Sequence, residues 1–254
     1  MSSRRSQAVA PTGLRRARPA QPRALPRLLA ALLAAVVLLA ACTGSGGTGP
    51  TPTEQTPAQR LAAARAKLES SPAVDFELTS AGLPGKAVGV SGAKGTGVFT
   101  PPSFKGTLDA TIRGVTGTVD VIAVEQDVYL KFFTPGYAKV DPSDYGAPNP
   151  AQLFNTQTGV TSLIGRTTSL AMGSQQRDRS DVLDTVTGKV QGSAVADLFV
   201  IGERSGTFDV TYGITRDSKD LRTVVLKGPF YAGTTSTYTL RLKALDQAVA
   251  IARP

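Results

Sequence analysis

Phe104-Lys105-Gly106-Thr107-Leu108-Asp109-Ala110-Thr111-Ile112 decides how this chain folds. Phe104, Leu108 and Ile112 share one parity, lysine, threonine and aspartate take the other, and a period of two marks a half-buried strand. Working outward, 76–78, 119–121, 182–190, 208–212 and 238–242 repeat the pattern. Glycine and proline clusters at 82–85, 100–103, 114–117 and 213–219 read as turns. Consecutive strands joined by short turns imply an antiparallel meander, because parallel pairs need long crossovers. Residues 149–163 and 192–201 interrupt it as short helices or loops. Upstream, Thr56 is a plausible N-cap and Pro57 the first residue of an alanine-rich helix. Leu61, Ala64 and Leu68 fall on one face of that helix, and Ser70-Ser71-Pro72 stops it. The expected class is α+β, a large curved antiparallel sheet with a few helices covering one face.

Ahead of this domain, Leu28 to Ala41 form an apolar run of fourteen residues between an arginine-rich segment and Cys42, the one cysteine of the chain. A spanning helix needs about 20 apolar residues, so the run suits a signal-peptide core instead. Leu39-Ala40-Ala41-Cys42 resembles a bacterial lipobox, in which the cysteine thiol is diacylated and becomes the new N-terminus. The expected organisation is a leader at 1–41, lipidated Cys42 with a flexible tether to residue 56, and one folded domain at 57–254. Cys42 would then anchor the chain in the plasma membrane, facing the periplasm or cell envelope. The seven leader arginines account for most of the charge of +9; without them 21 basic residues face 19 acidic ones. The basic pI therefore reports targeting rather than a nucleic-acid partner. The Gly/Thr/Pro-rich tether is too polar to order itself. Its Gly44, Gly46 and Gly49 match a dinucleotide fingerprint but lack the preceding strand that fingerprint requires.

The search for reactive chemistry returns little. The chain has no histidine, which excludes Ser/His/Asp triads, Cys/His dyads and histidine metal sites. Ser91-Gly92-Ala93-Lys94 spells S-x-x-K, yet flanking glycines argue for strand or loop where that motif needs a helix start. Asp141 and Asp144 read as a capped turn, and Asp178, Asp181 and Asp184 as the solvated face of a strand. No enzyme activity, cofactor or metal is expected. Apolar residues make up 41% of the chain but aromatics only 6%, with no tryptophan, which disfavours sugar- or peptide-binding platforms. An aliphatic inner face either packs solid or lines a greasy cavity, and composition leaves both open.

Longer stretches narrow the choice. Residues 115–124 (VTGTVDVIAV), 127–131 (DVYLK) and 133–146 (FTPGYAKVDPSDYG) closely resemble the LppX/LprAFG family of mycobacterial and related actinobacterial lipoproteins. The resemblance continues through 194–202 (AVADLFVIG), 206–209 (GTFD), 221–224 (LRTV) and 228–231 (GPFY), and covers about 57–242. Residues 244–254 depart from it, lacking the aromatic-Gly-x-Pro-Val ending usual in the family.

The resemblance implies a half-barrel of antiparallel sheet wrapped round helices and enclosing a hydrophobic cavity. It implies an acylated lipid or glycolipid ligand, transport of that ligand from plasma membrane towards the outer envelope, and, for some members, an efflux-type membrane transporter as partner. Such a protein could carry lipid itself or serve as an accessory to the exporter. A monomer is expected. The residues expected to line the cavity are Phe76, Leu78, Val88, Val90, Phe104, Leu108, Ile112, Val119 and Val121 from the sheet. Leu153, Leu163, Ile164, Leu198, Phe199, Phe208 and Val210 complete the set. A one-residue slip in strand parity would turn the sheet positions outward.

Overall fold

The computed structural model describes residues 55–85, 87–112, 114–132 and 134–254, with only the backbone of Ile112. The expected leader, Cys42 and most of the tether lie outside the described residues. From Glu54 onward the chain forms a compact unit whose core is drawn from its own residues.

Helix α1 (Pro57–Glu69) starts on a capping box. The Gln59 N–H donates to Thr56 Oγ1 at 3.2 Å, and the Thr56 N–H donates to Gln59 Oε1 at 2.9 Å. Leu61, Ala64 and Leu68 are its buried stripe. Twelve strands follow: β1 (Ala73–Ala81), β2 (Gly89–Phe99), β3 (Pro102–Ile112), β4 (Val115–Val124), β5 (Asp127–Lys131), β6 (Ala138–Val140), β7 (Thr168–Met172), β8 (Gln176–Asp178), β9 (Asp181–Gln191), β10 (Thr207–Thr215), β11 (Leu221–Tyr231) and β12 (Thr234–Leu245). They form one antiparallel sheet in the order β6-β5-β4-β3-β2-β1-β12-β11-β10-β9-β7, with β8 also on β9. Among the described residues the one crossover in the middle of the sheet is the closure of β1 on β12, and the meander runs outward from that pair. Two 3-10 turns (Pro142–Tyr145 and Pro150–Phe154), α2 (Ser162–Gly165) and α3 (Gly192–Phe199) complete the fold. It is the curved α+β sheet that the alternation implied, with its helices on the concave side.

Two turns are shorter than their glycines suggested. β4 begins at Val115 and takes in Gly117, over which the Phe132 ring packs. Gly213 belongs to β10, at a register shift beside Leu183 and Thr223, and the turn proper is 216–220. In both places glycine makes room for a neighbour instead of reversing the chain. At the C-terminus, residues 246–254 form no strand but bring Arg253 to Asp127 at 2.7 Å and Glu125 at 3.3 Å. Lys139 also reaches Asp127, at 2.6 Å, and these hydrogen bonds hold the carboxyl below its ordinary pKa.

The sheet has two distinct ends. One carries residues 82–85, 87–88, 114, 192–206 and 232–233, and the other carries 100–101, 125–126, 179–180 and 216–220. The three expected strand aspartates are not simply solvated. Asp178 pairs with Arg241 and Asp181 with Arg222, each at 2.9 Å, and Asp184 lies 3.6 Å from Arg60 of α1. A lone carboxylate this close to a packed surface would lose hydration, and an arginine replaces it. Among the described residues no acidic cluster is suited to a metal ion, and no helix is long and apolar enough to cross a membrane.

Candidate functional site

One row of side chains crosses the concave face. Tyr212, Val224, Leu240, Leu78, Ala93, Leu108 and Val119 are successive cross-strand neighbours from β10 to β4. Ala93 is the smallest member. Around it, from Val224 to Leu108, the row lines an apolar cavity. Its volume is about 130 Å³. At about 10–30 Å³ per water-sized group, it accommodates on the order of four to ten methylenes, part of one long acyl chain.

Aromatic rings make the floor. Phe76 lies between Phe104 and Phe154, with centroids 5.2 and 5.6 Å away, and Phe99 meets Phe154 edge-on at 5.9 Å. Phe154 comes from the second 3-10 turn, and it can lie on β2 because Gly97 has no side chain: a Cβ there would occupy the ring. Phe230 forms part of the wall, edge-on to Phe208 at 4.8 Å and to Tyr238 at 4.6 Å. These geometries are the favourable ones for aromatic pairs.

Polar side-chain groups on the lining are few. The Thr161 hydroxyl donates to Glu69 Oε1. The Tyr238 hydroxyl donates to the Val90 carbonyl at 3.0 Å, and Tyr231 Oη stands 3.2 Å from Tyr238 Oη and 3.4 Å from the Val88 carbonyl. Burial, and then the neighbouring Tyr231, push the Tyr238 phenol well above its ordinary pKa, so it stays neutral. No charged side chain lines the chamber among the described residues.

Leu68, Phe99, Phe104, Phe154 and Leu242 are buried at the inner end, whereas Gly89, Val90, residues 146–148, Phe199 and Ile201 are partly exposed. The latter group forms the mouth. A smaller pocket shares Gly89, Val90 and Leu108 and continues the space past Val119 towards Val128 and Leu130.

The structure distributes the sixteen expected lining residues unevenly. Phe76, Leu78, Val90, Phe104, Leu108, Leu153 and Phe199 line the chamber, and Val119 lines the adjoining pocket. Val121, Leu163, Ile164, Leu198, Phe208 and Val210 are buried in closely packed core, where the helices fill the concavity. Val88 lies outside, 55% exposed, because β2 begins one residue later. The Ile112 side chain and Cys42 lie outside the described parts. Phe154, Phe230, Tyr238, Leu240 and Leu242 also line the chamber and were not expected there. The alternation of 238–242 held the signal for three of them. For Ser91 and Lys94 the structure provides no catalytic arrangement: Ser91 sits in β2, its hydroxyl donating to the Asp109 carbonyl at 3.1 Å.

The model of the LppX/LprAFG lipoprotein family matches residues 56–251. The fold is similar to that of the lipoprotein LppX of Mycobacterium tuberculosis, at a TM-score of 0.58 and 15% identity over 77% of this chain and 98% of that one. It is similar also to LprF of Mycobacterium bovis, at a TM-score of 0.65 and 13% identity over 78% and 96%. No curated protein sequence matches significantly. At such identities the structural likeness speaks for the fold alone.

Proposed function

The chain belongs to the LppX/LprAFG lipoprotein family, and from that premise we propose that it is a non-enzymatic carrier of acylated lipids or glycolipids. In this reading it is anchored through Cys42 to the plasma membrane, faces the periplasmic side, and moves its cargo towards the outer envelope. The observation that carries the proposal is the chamber: an aromatic and aliphatic lining, no charge, and a mouth whose residues reach solvent. Pulling one sixteen-carbon chain into water costs roughly 12 kcal/mol at about 0.8 kcal/mol per methylene. A dry chamber removes most of that cost for the chain it encloses, while the headgroup stays at the rim. The resting volume takes part of one chain. Lipids with two or three chains would require the helices of the concave side to part, and that fits a fold whose lining on this side is only half closed.

The test is transfer of a pyrene-labelled diacyl lipid between donor and acceptor vesicles. The reading expects the rate to rise in proportion to added protein (residues 54–254). A rate equal to the protein-free control would refute it.

A further inference from the structure

We propose that the phenols of Tyr231 and Tyr238 form the site that reads the polar end of the cargo, with Tyr231 donating its hydroxyl proton to the carbonyl oxygen of an acyl ester at the chamber mouth. This deepens the carrier reading and rests on it for the nature of the ligand. The site lies where the sheet splits. The ladder between β1 and β2 ends at Leu78 opposite Ala93. Beyond that pair β1 continues to Ala81 on β12, and β2 reaches back to Gly89 on β3. Three carbonyls at or beside the start of β2 meet side-chain hydroxyls there: Ser91 that of Ser80 at 2.6 Å, Val90 that of Tyr238 at 3.0 Å, and Val88 that of Tyr231 at 3.4 Å. Tyr238 lines the chamber with Leu240 and Leu242. Four residues at about 3.3 Å each place it about 13 Å from the inner end.

The proton count leaves one hydroxyl available. Tyr238 gives its proton to the Val90 carbonyl. Tyr231 has two acceptors, Tyr238 Oη at 3.2 Å and the Val88 carbonyl at 3.4 Å. Both are long against the usual length of about 2.7–2.8 Å for an O–H···O bond, so a ligand oxygen at the ordinary distance outcompetes either. There is room for it. Gly89 lines the chamber and the adjoining pocket, and at φ 120° it holds a conformation that side chains rarely adopt. A Cβ there would stand 3.8 Å from Tyr231 Oη, so the missing side chain leaves space directly beside the hydroxyl. The other lining hydroxyl, that of Thr161, is already committed to Glu69. The chemistry of the pair selects the ligand oxygen. Tyr238 is neutral, because burial and then Tyr231 raise its pKa, and no charged side chain lines the chamber among the described residues. A carboxylate entering here would exchange its hydration for a neutral donor, whereas an ester carbonyl needs only that donor.

The experiment uses residues 54–254 and three pyrene-labelled sixteen-carbon probes: the methyl ester, the free fatty acid at neutral pH and the plain alkane. Affinities are compared between Tyr231→Phe and wild type probe by probe, so that differences in water solubility cancel. The variant is expected to bind the ester about three- to tenfold more weakly, the effect of one net hydrogen bond, and the alkane as wild type does. The fatty acid should lose less than the ester, because its carboxylate stays in water. Tyr212→Phe, which removes a phenol outside the chamber, should bind all three probes like wild type. In the wild type itself the carbonyl stretch of the bound ester should lie below its value in hexane, a readout that does not depend on the variant folding. Equal losses for ester and alkane would reduce Tyr231 to wall packing; that result, an unchanged ester affinity or a hexane-like stretch would each overturn the inference. A fatty-acid loss at least as large as the ester's would overturn the ester assignment in favour of a carboxylate site. Failure of the wild type to bind even the alkane would overturn the carrier reading itself.

Discussion

Filling the chamber from Ala93 separates an open interior from a packed one. Ala93 lies between Leu78 and Leu108 in the transverse row and lines the cavity. Ala93→Trp adds about nine heavy atoms, the bulk of roughly five methylenes if each takes about the volume of a water molecule. Excluding five methylenes of a bound chain forfeits about 4 kcal/mol at about 0.8 kcal/mol each. A chain that slides towards the mouth recovers part of that, so the expected weakening is at least tenfold and approaches about a thousandfold. The assay is titration with a fluorescent sixteen-carbon fatty acid, paired with thermal unfolding of the ligand-free protein. An open chamber absorbs the indole, and the melting temperature stays within a few degrees. A solid interior resists it: overpacking costs about 1–3 kcal/mol, a fall of about 2–12 °C for a domain of this size. Unchanged fatty-acid affinity together with a depressed melting temperature would refute the reasoning.

Further outcomes follow from the same structure. Gly97→Ala drives a methyl into the Phe154 ring and should destabilise by about 1–3 kcal/mol, read by denaturant unfolding; no change would mean that the floor is not fixed by that contact. Leu61→Ala, at a fully buried position of α1, should cost about 2–5 kcal/mol in the same assay. Burial pushes the Tyr212 phenol up to about 12 from 10.0, against a hydrogen bond with Thr167 that lowers it. The unfolded chain then ionises first, so Tyr212 should leave stability intact below pH 10 and take away about 2–3 kcal/mol as pH rises towards 12; Tyr212→Phe should make the decline shallower, leaving the part that the buried Tyr238 contributes. The lowered pKa of Asp127 works in the opposite sense. Its contribution is present above the ordinary value of 3.8 and lost as pH falls below it. Asp127→Asn at neutral pH should therefore loosen residues 246–254, seen as faster carboxypeptidase trimming and hydrogen exchange.

How much of this could be read from the residues depends on where each side chain's neighbours come from. β1, β3, β4 and β10 carry their own apolar face, so Phe76, Leu108, Val119 and Phe208 announced the strands, while which parity faces inward depended on the register of the whole sheet. β2 does not. Its inner positions include Gly95 and Gly97, because the Phe104 and Phe154 rings occupy the space above them. The hydrophobicity of that face is supplied by other elements, and no period of two survives in β2 itself. The division of the concave side into a packed half and a hollow half was illegible for a related reason. It depends on where α1, α2 and α3 dock, which is set by distant contacts such as Leu61 in the core and Arg60 beside Asp184. Val88 shows the limit from the other direction, since a strand starting one residue later turns an expected lining residue into an exposed one.

The central claim is that the concave face keeps a space for hydrocarbon. Native mass spectrometry of residues 42–254 bearing Cys42→Ala, produced in an actinobacterial host and purified without detergent, tests it most directly. The account predicts a protein mass carrying one bound acylated lipid, released on solvent extraction and much reduced in the Ala93→Trp variant. A bare protein mass in both preparations, with no lipid in the extract, would contradict it.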